Sequence, residues 1–168
     1  MTRKELMQMM PANGDALAAA ERIVEIGYPA VHPVMRDMVN WMRLADSPVA
    51  DTFASFFGRS GLSAVGAIDQ GLTRENCWIR HRIFTQILPQ WPPEAIRQLA
   101  NTLRMVATQP DAYDNDILSV EVLARHHLAD PEWLGQWLTF KKERWAVRNS
   151  LLVRAEEILK LAQASSPR

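Results

Sequence analysis

The chain has 168 residues, 48% hydrophobic and 23% charged, a balance that belongs to a globular protein with its own core rather than to a disordered segment. Its formal net charge is zero, which removes any global pull towards nucleic acid or an anionic membrane. The single cysteine, Cys77, excludes an internal disulfide and a cysteine-based zinc site.

Glu5 to Met10 predicts a short first helix closed by Pro11, with Asn13 or Asp15 as cap for the next one. That second helix carries Leu17, Ala20, Ile23, Val24 and Ile26 at helical spacing. Gly27 then stands where a positive-φ C-cap is wanted. Pro29 suits the first turn of the following helix, whose inner side reads as Val31, Val34, Met38 and Trp41 with Met35 and Met42 beside them. Pro33 demands a later start or a bend, because it cannot donate back to the preceding turn. Asp46 or Ser47 caps a helix that Pro48 opens, with Val49, Phe53, Phe56 and Phe57 pointing inward. Gly58 and Gly61 make a turn before Val65, Ile68 and Leu72, and Gly66 and Gly71 weaken this helix by up to ~1 kcal/mol each relative to Ala.

Thr73 or Asn76 caps a third pair with Trp78, Ile79, Ile83, Ile87 and Leu88, stopped at Pro89-Gln90-Trp91-Pro92-Pro93. One helix then carries Ala95, Ile96, Leu99, Leu103 and Val106 and ends before Pro110. Asp111 to Asp116 is a polar connector leading to Ile117, Val120, Leu123 or Ala124, and Leu128. Asp130-Pro131-Glu132 restarts the helix for a narrow stripe of Trp133, Leu134, Trp137 and Leu138. Trp145 begins a final segment with Leu152, Ala155, Ile158, Leu159 and Ala162, and residues 164–168 are expected to fray. No stretch alternates with period two for long, so the fold class is all-α.

The pattern Gly27-Tyr28-Pro29-Ala30-Val31-His32-Pro33-Val34 returns at Gly61-Leu62-Ser63-Ala64-Val65-Gly66-Ala67-Ile68, and a weaker third copy keeps Ala95-Ile96, Leu99 and Leu103. The first helices repeat as well, since Val49, Phe53 and Phe57 match Ile79, Ile83 and Ile87 at one constant offset. Repetition of helix pairs predicts a short α-solenoid of about four units. We read one domain over 1–168, with clear repeats over about 15–106 and less regular helices over 114–163.

Ile26-Gly27-x-x-Ala30-Val31-x-Pro33-Val34, followed by Asp46-x-x-Val49, resembles HEAT-like repeats of the phycobilisome-lyase type. Ala50 stands where an Arg is usual, while Ile79-Arg80 restores it in the next unit. With Trp41, Trp78-Ile79-Arg80 and Ile87-Leu88-Pro89, the chain is similar to a family of short bacterial proteins, and some small HEAT-like proteins of this kind are encoded as immunity proteins beside secreted toxins. The resemblance covers about residues 15–106 and carries packing and turn motifs, with no active site among them.

No catalytic constellation emerges from the residues. His126 and His127 are adjacent, so on a helix they diverge by ~100° and do not make a metal-binding i, i+4 pair. His32 and His81 lack a ligand partner at the required spacing. Asp111, Asp114 and Asp116 lack the Gly and terminal Glu of a calcium loop and read as helix caps. Cys77, beside Trp78, has no acid or His placed to activate it. The expectation is a non-enzyme without metal or cofactor.

Two features point to a partner. Trp133, Trp137 and Trp145 exceed what the last helices need for packing, and exposed aromatics anchor binding hot spots. Asp111, Asp114, Asp116, Glu121, Asp130 and Glu132 are acidic and cluster before the basic run Lys141, Lys142, Arg144, Arg148 and Arg154; they form either a helix-to-helix neutralisation or a surface for a basic partner. The second helices offer Arg36, Asn40, Arg43, Asp69, Gln70, Arg97, Asn101 and Arg104 on their solvent side. The leading expectation is a protein-binding module, most concretely an immunity protein gripping a cognate toxin. The alternative is an adaptor or nucleic-acid binder whose Arg36, Arg43, Arg97 and Arg104 converge with Arg80 and Arg82. No apolar run approaches a signal peptide or the about 20 residues of a membrane span, so the expected location is the cytoplasm.

Overall fold

The computed structural model describes residues 1–74, 76–145, 153–154, 156–158 and 160. Leu152, Ala155, Leu159, Ala162, Arg148 and the tail 164–168 lie outside the described residues, as do the side chains of Arg144 and Trp145. The described residues are helical, with no strand among them. Two compact units divide the chain, Met1–Leu99 and Ala100–Arg168.

The first unit begins with α1 (Arg3–Met9), held by a reciprocal cap in which the Thr2 hydroxyl accepts from the Glu5 amide and Glu5 accepts from the Thr2 amide. That backbone hydrogen bond holds the Glu5 carboxyl below its ordinary value. The second helix, α2 (Leu17–Ile26), starts without a side-chain cap, because Asn13 spends its oxygen on the Asp15 amide in a local turn. Gly27 ends it at φ 67°. Pro29 does not open the next helix: it follows a cis peptide bond, and the chain coils through a 3₁₀ turn at His32–Val34, with Pro33 near its start, into α3 (Met35–Trp41). Ser47 caps α4 (Pro48–Ser60), accepting from Ala50 and donating to the Gly14 carbonyl at 2.8 Å.

Gly58 lies inside α4 rather than in the turn, and a Cβ there would fall 2.5 Å from the Gln90 amide. Gly61, at φ 50°, makes the turn alone and leads through Gly61–Ala64 into α5 (Val65–Thr73). Asn76, not Thr73, caps α6 (Cys77–Arg82) by accepting from Ile79 at 3.0 Å. The helix widens into a π turn at Ile83–Ile87 just before Pro89, whose ring and missing N–H forbid an ordinary α-turn there.

Within this unit α2 packs on α4 and α4 on the π turn, while α3 packs on α5. Phe53, Phe57, Ile68, Leu72, Ile83 and Ile87 are fully buried between them. Arg82 is buried too, tying α4 through Asp51 and the preceding turn through the Leu44 carbonyl. Trp91 is buried and donates its indole N–H to the Phe57 carbonyl at 2.9 Å.

Gly71 sits where α5 meets α3 and the π turn; an added Cβ would lie 2.9 Å from both Ile83 Cδ1 and Val39 Cγ1. We therefore expect Gly71→Ala to cost about 1–3 kcal/mol despite its better helix propensity. Gly66→Ala, on the open side of the same helix with nothing within 4 Å of the new Cβ, is expected to stabilise by up to ~1 kcal/mol. Urea midpoints of the two variants check the pair, and equal midpoints would contradict the assigned inner face.

The expected single helix over Ala95 to Val106 is two: α7 (Pro93–Gln98) and α8 (Ala100–Val106). Leu99, fully buried, closes back on Ile96 at 2.9 Å with φ −91° and ψ 0°. Ile96 lies in the first unit and Leu103 in the second.

In the second unit α8 packs on α9 (Asn115–Arg125), where the Ser119 hydroxyl donates to the Leu103 carbonyl at 2.6 Å. α10 (Pro131–Trp145) starts with Asp130 accepting from the Trp133 amide at 2.8 Å. Its Trp137 is buried and donates its indole N–H to the Ala107 carbonyl at 2.7 Å.

Candidate docking groove along the third helix

In α3 the residues that turn away from Met35, Met38 and Val39 in the core are Arg36, Asp37 and Asn40. They line a recess of about 530 Å³ whose other walls include Arg3, His32 and Arg74, with Gly66 on the α5 side. A second recess of about 340 Å³ shares Asp37 and Asn40 and continues past Trp41 to Arg43, facing Met7, Met10 and Pro11. The two make one groove over the outer face of α3: cationic at one end, apolar at the other.

Arg3 donates to Asp37 at 2.9 Å, and Arg74 donates to the Asn40 side-chain oxygen. Arg36 and Arg43 are exposed, and their side chains make no hydrogen bond or ion pair among the described residues. The His32 ring meets the Tyr28 ring edge-on at 6.2 Å. Four arginines against one aspartate, itself engaged, leave the groove positively charged among the described residues.

Three of the expected contact residues, Arg36, Asn40 and Arg43, are thus brought together, with Trp41 half-buried beside them instead of in the core. The others are not. Arg97 is exposed on α7. Asn101 and Arg104 belong to the second unit, where Arg104 donates to the Leu128 carbonyl at 2.6 Å. Arg80 and Arg82 are buried, so the six-arginine convergence does not form: Arg80 donates to the Leu72 carbonyl, and Arg82 is spent on Asp51 and Leu44.

The acidic connector is consumed locally. Asp111 accepts from the amides of Tyr113 and Asn115 and from the Asn115 side chain, and Asp114 stands before α9 in a left-handed conformation. Asp116 is buried and paired with buried Lys141, and burial pushes its carboxyl above the ordinary value against the pull of that ammonium. Glu121 binds Arg154 at 2.6 Å, and Lys142 binds Glu156 at 2.7 Å. Of the tryptophans Trp137 is a core clamp and Trp133 half-buried. Asp116 and Glu121 are thus paired with the basic run, the helix-to-helix neutralisation that the sequence allowed.

His81 stacks on Trp78 at 5.6 Å, and Arg82 lies over the same indole at 5.7 Å. No three His, Cys, Asp or Glu side chains among the described residues gather as a metal site. No helix among them is long and apolar enough to cross a membrane.

Sequence reasoning missed Arg3, Arg74, Met7 and Met10, because they reach α3 from α1 and from the end of α5. No family model matches the chain, and comparison with curated proteins and with solved structures finds no similar protein.

Proposed function

We propose that the chain is a non-catalytic protein-binding module of HEAT-like helix pairs, a short α-solenoid whose groove over α3 seats another polypeptide. The observation that carries this reading is the juxtaposition of unengaged Arg36 and Arg43 with Met7, Met10 and Trp41, the residue types that dominate binding hot spots and interface cores. Support for the repeat comes from the hydrogen bond of Arg74 to Asn40, 34 positions apart, the same offset that separates Gly27 from Gly61. The most concrete version, resting on the resemblance, is a cytosolic immunity protein that neutralises a cognate toxin by direct binding.

Asp116 and Glu121 are used within the second unit, which favours the groove over α3 as the docking surface. The nucleic-acid alternative loses Arg80, Arg82 and Arg104 to internal bonds. The experiment is a tagged-chain pull-down from the native host. It is expected to retain one stoichiometric protein whose toxicity to a naive host the chain suppresses. Recovery of no stoichiometric protein would overturn the reading.

A further inference from the structure

We infer that the occupant of the groove is an extended acidic segment of the partner, its carboxylates against Arg36 and Arg74 and one bulky apolar side chain against Met7, Met10 and Trp41. This inference rests on the docking reading above and specifies the chemistry of what docks.

Charge complementarity sets the first requirement. The recess that holds Arg36 also holds Arg3, Arg74 and His32, and its one carboxylate, Asp37, already accepts from Arg3. An incoming carboxylate meets guanidinium groups in the planar geometry they bind best. The second requirement follows from the other end. Two methionines, a proline and a half-buried indole make a soft apolar wall without an internal side chain to cover it.

The spacing between the two is set by the helix. Arg36 and Trp41 are five positions apart on α3, about 7.5 Å along its axis but ~140° around it, so the path from one side chain to the other is longer than the axial rise. An extended chain covers that path in about four residues. The inferred motif is therefore one or more Asp or Glu separated from a large apolar residue by a short step. Gly66 leaves the floor open beside Arg36, since nothing lies within 4 Å of a Cβ built there. A Leu at that position would fill the approach without touching the core.

Fluorescence anisotropy of the full chain tests this with a fluorescein-labelled peptide that carries a run of glutamates and, about four residues on, a phenylalanine. We expect saturable binding that weakens as salt rises. Replacing the phenylalanine by serine should weaken it about tenfold or more, the loss of one buried apolar side chain, and replacing the glutamates by glutamines should do the same. In the protein, Arg36→Glu with Arg74→Glu should abolish binding, and Gly66→Leu should weaken it, with thermal melting of both variants near that of the parent.

Four results would overturn the inference: equal binding of the glutamine peptide, no loss on charge reversal, tighter binding of a single-stranded deoxythymidine oligomer, or a peptide that fails to saturate. The docking reading fails separately, when no protein contacts the groove in the cell. A cellular partner that ignores Arg36→Glu with Arg74→Glu would keep that reading and remove the acidic segment.

Discussion

Phe53→Ala should lower stability by ~3–5 kcal/mol, a large share of the ~5–15 kcal/mol that holds a domain folded. Phe53 lies in the middle of α4 and is completely buried. α4 is the element on which α2, α3 and the π turn all pack. Removing the ring loses its transfer free energy and leaves a cavity that three neighbours must collapse to fill. The nearby Phe56–Phe57 pair, with ring centroids 5.5 Å apart and edge-on, is too well fixed to swing into the space. For a chain of this size the loss corresponds to a melting temperature lower by roughly 6–20 °C. Calorimetry checks it, and an unchanged transition would mean that the inner face of α4 is misassigned.

Lys141→Met should be as damaging near neutral pH, costing ~3–5 kcal/mol, because it leaves the Asp116 carboxylate buried without its counter-charge. Asp116→Leu combined with Lys141→Met should recover most of that loss, since an apolar pair removes both desolvation penalties. The sign of the pH dependence follows from the raised pKa of Asp116. A folded value above the unfolded one means that the contribution is complete below the ordinary carboxyl range. It is lost as pH rises through the folded value.

Without Lys141 the folded value climbs further, so the deficit of Lys141→Met should shrink as pH falls and Asp116 takes up its proton. The double variant should lack this dependence. Urea melts across acidic pH measure the difference; a deficit that grows on acidification would contradict the account.

What could be read from the sequence was local. Gly27 after an apolar stripe, Ser47-Pro48 before another, and Val49, Phe53, Phe56 and Phe57 at helical spacing each express one turn's chemistry, and the structure places them accordingly. Where two local rules competed, the nearby backbone decided. Pro29 fits a helix start by its fixed φ, yet Pro33 is the one that enters the 3₁₀ turn. Leu99 interrupts a helix with neither Gly nor Pro to mark it, so no local signal announces the break.

The groove was legible only in part. Arg36, Asn40 and Arg43 share a helix face by periodicity alone, but Arg3 and Arg74 join them through contacts 34 positions away along the chain. The acidic run was legible as one of two readings, and the pairs formed are those of helix-to-helix neutralisation: Lys141 and Arg154 lie 25 and 33 positions beyond Asp116 and Glu121.

Site-specific photocross-linking in the native host tests the groove itself. The photoreactive residue p-benzoylphenylalanine is placed at His32, exposed on the groove wall, or at Thr139, exposed on α10. The account predicts one adduct of defined mass from His32, lost when Arg36→Glu and Arg74→Glu are added, and none from Thr139. An adduct from Thr139 with none from His32 would contradict it.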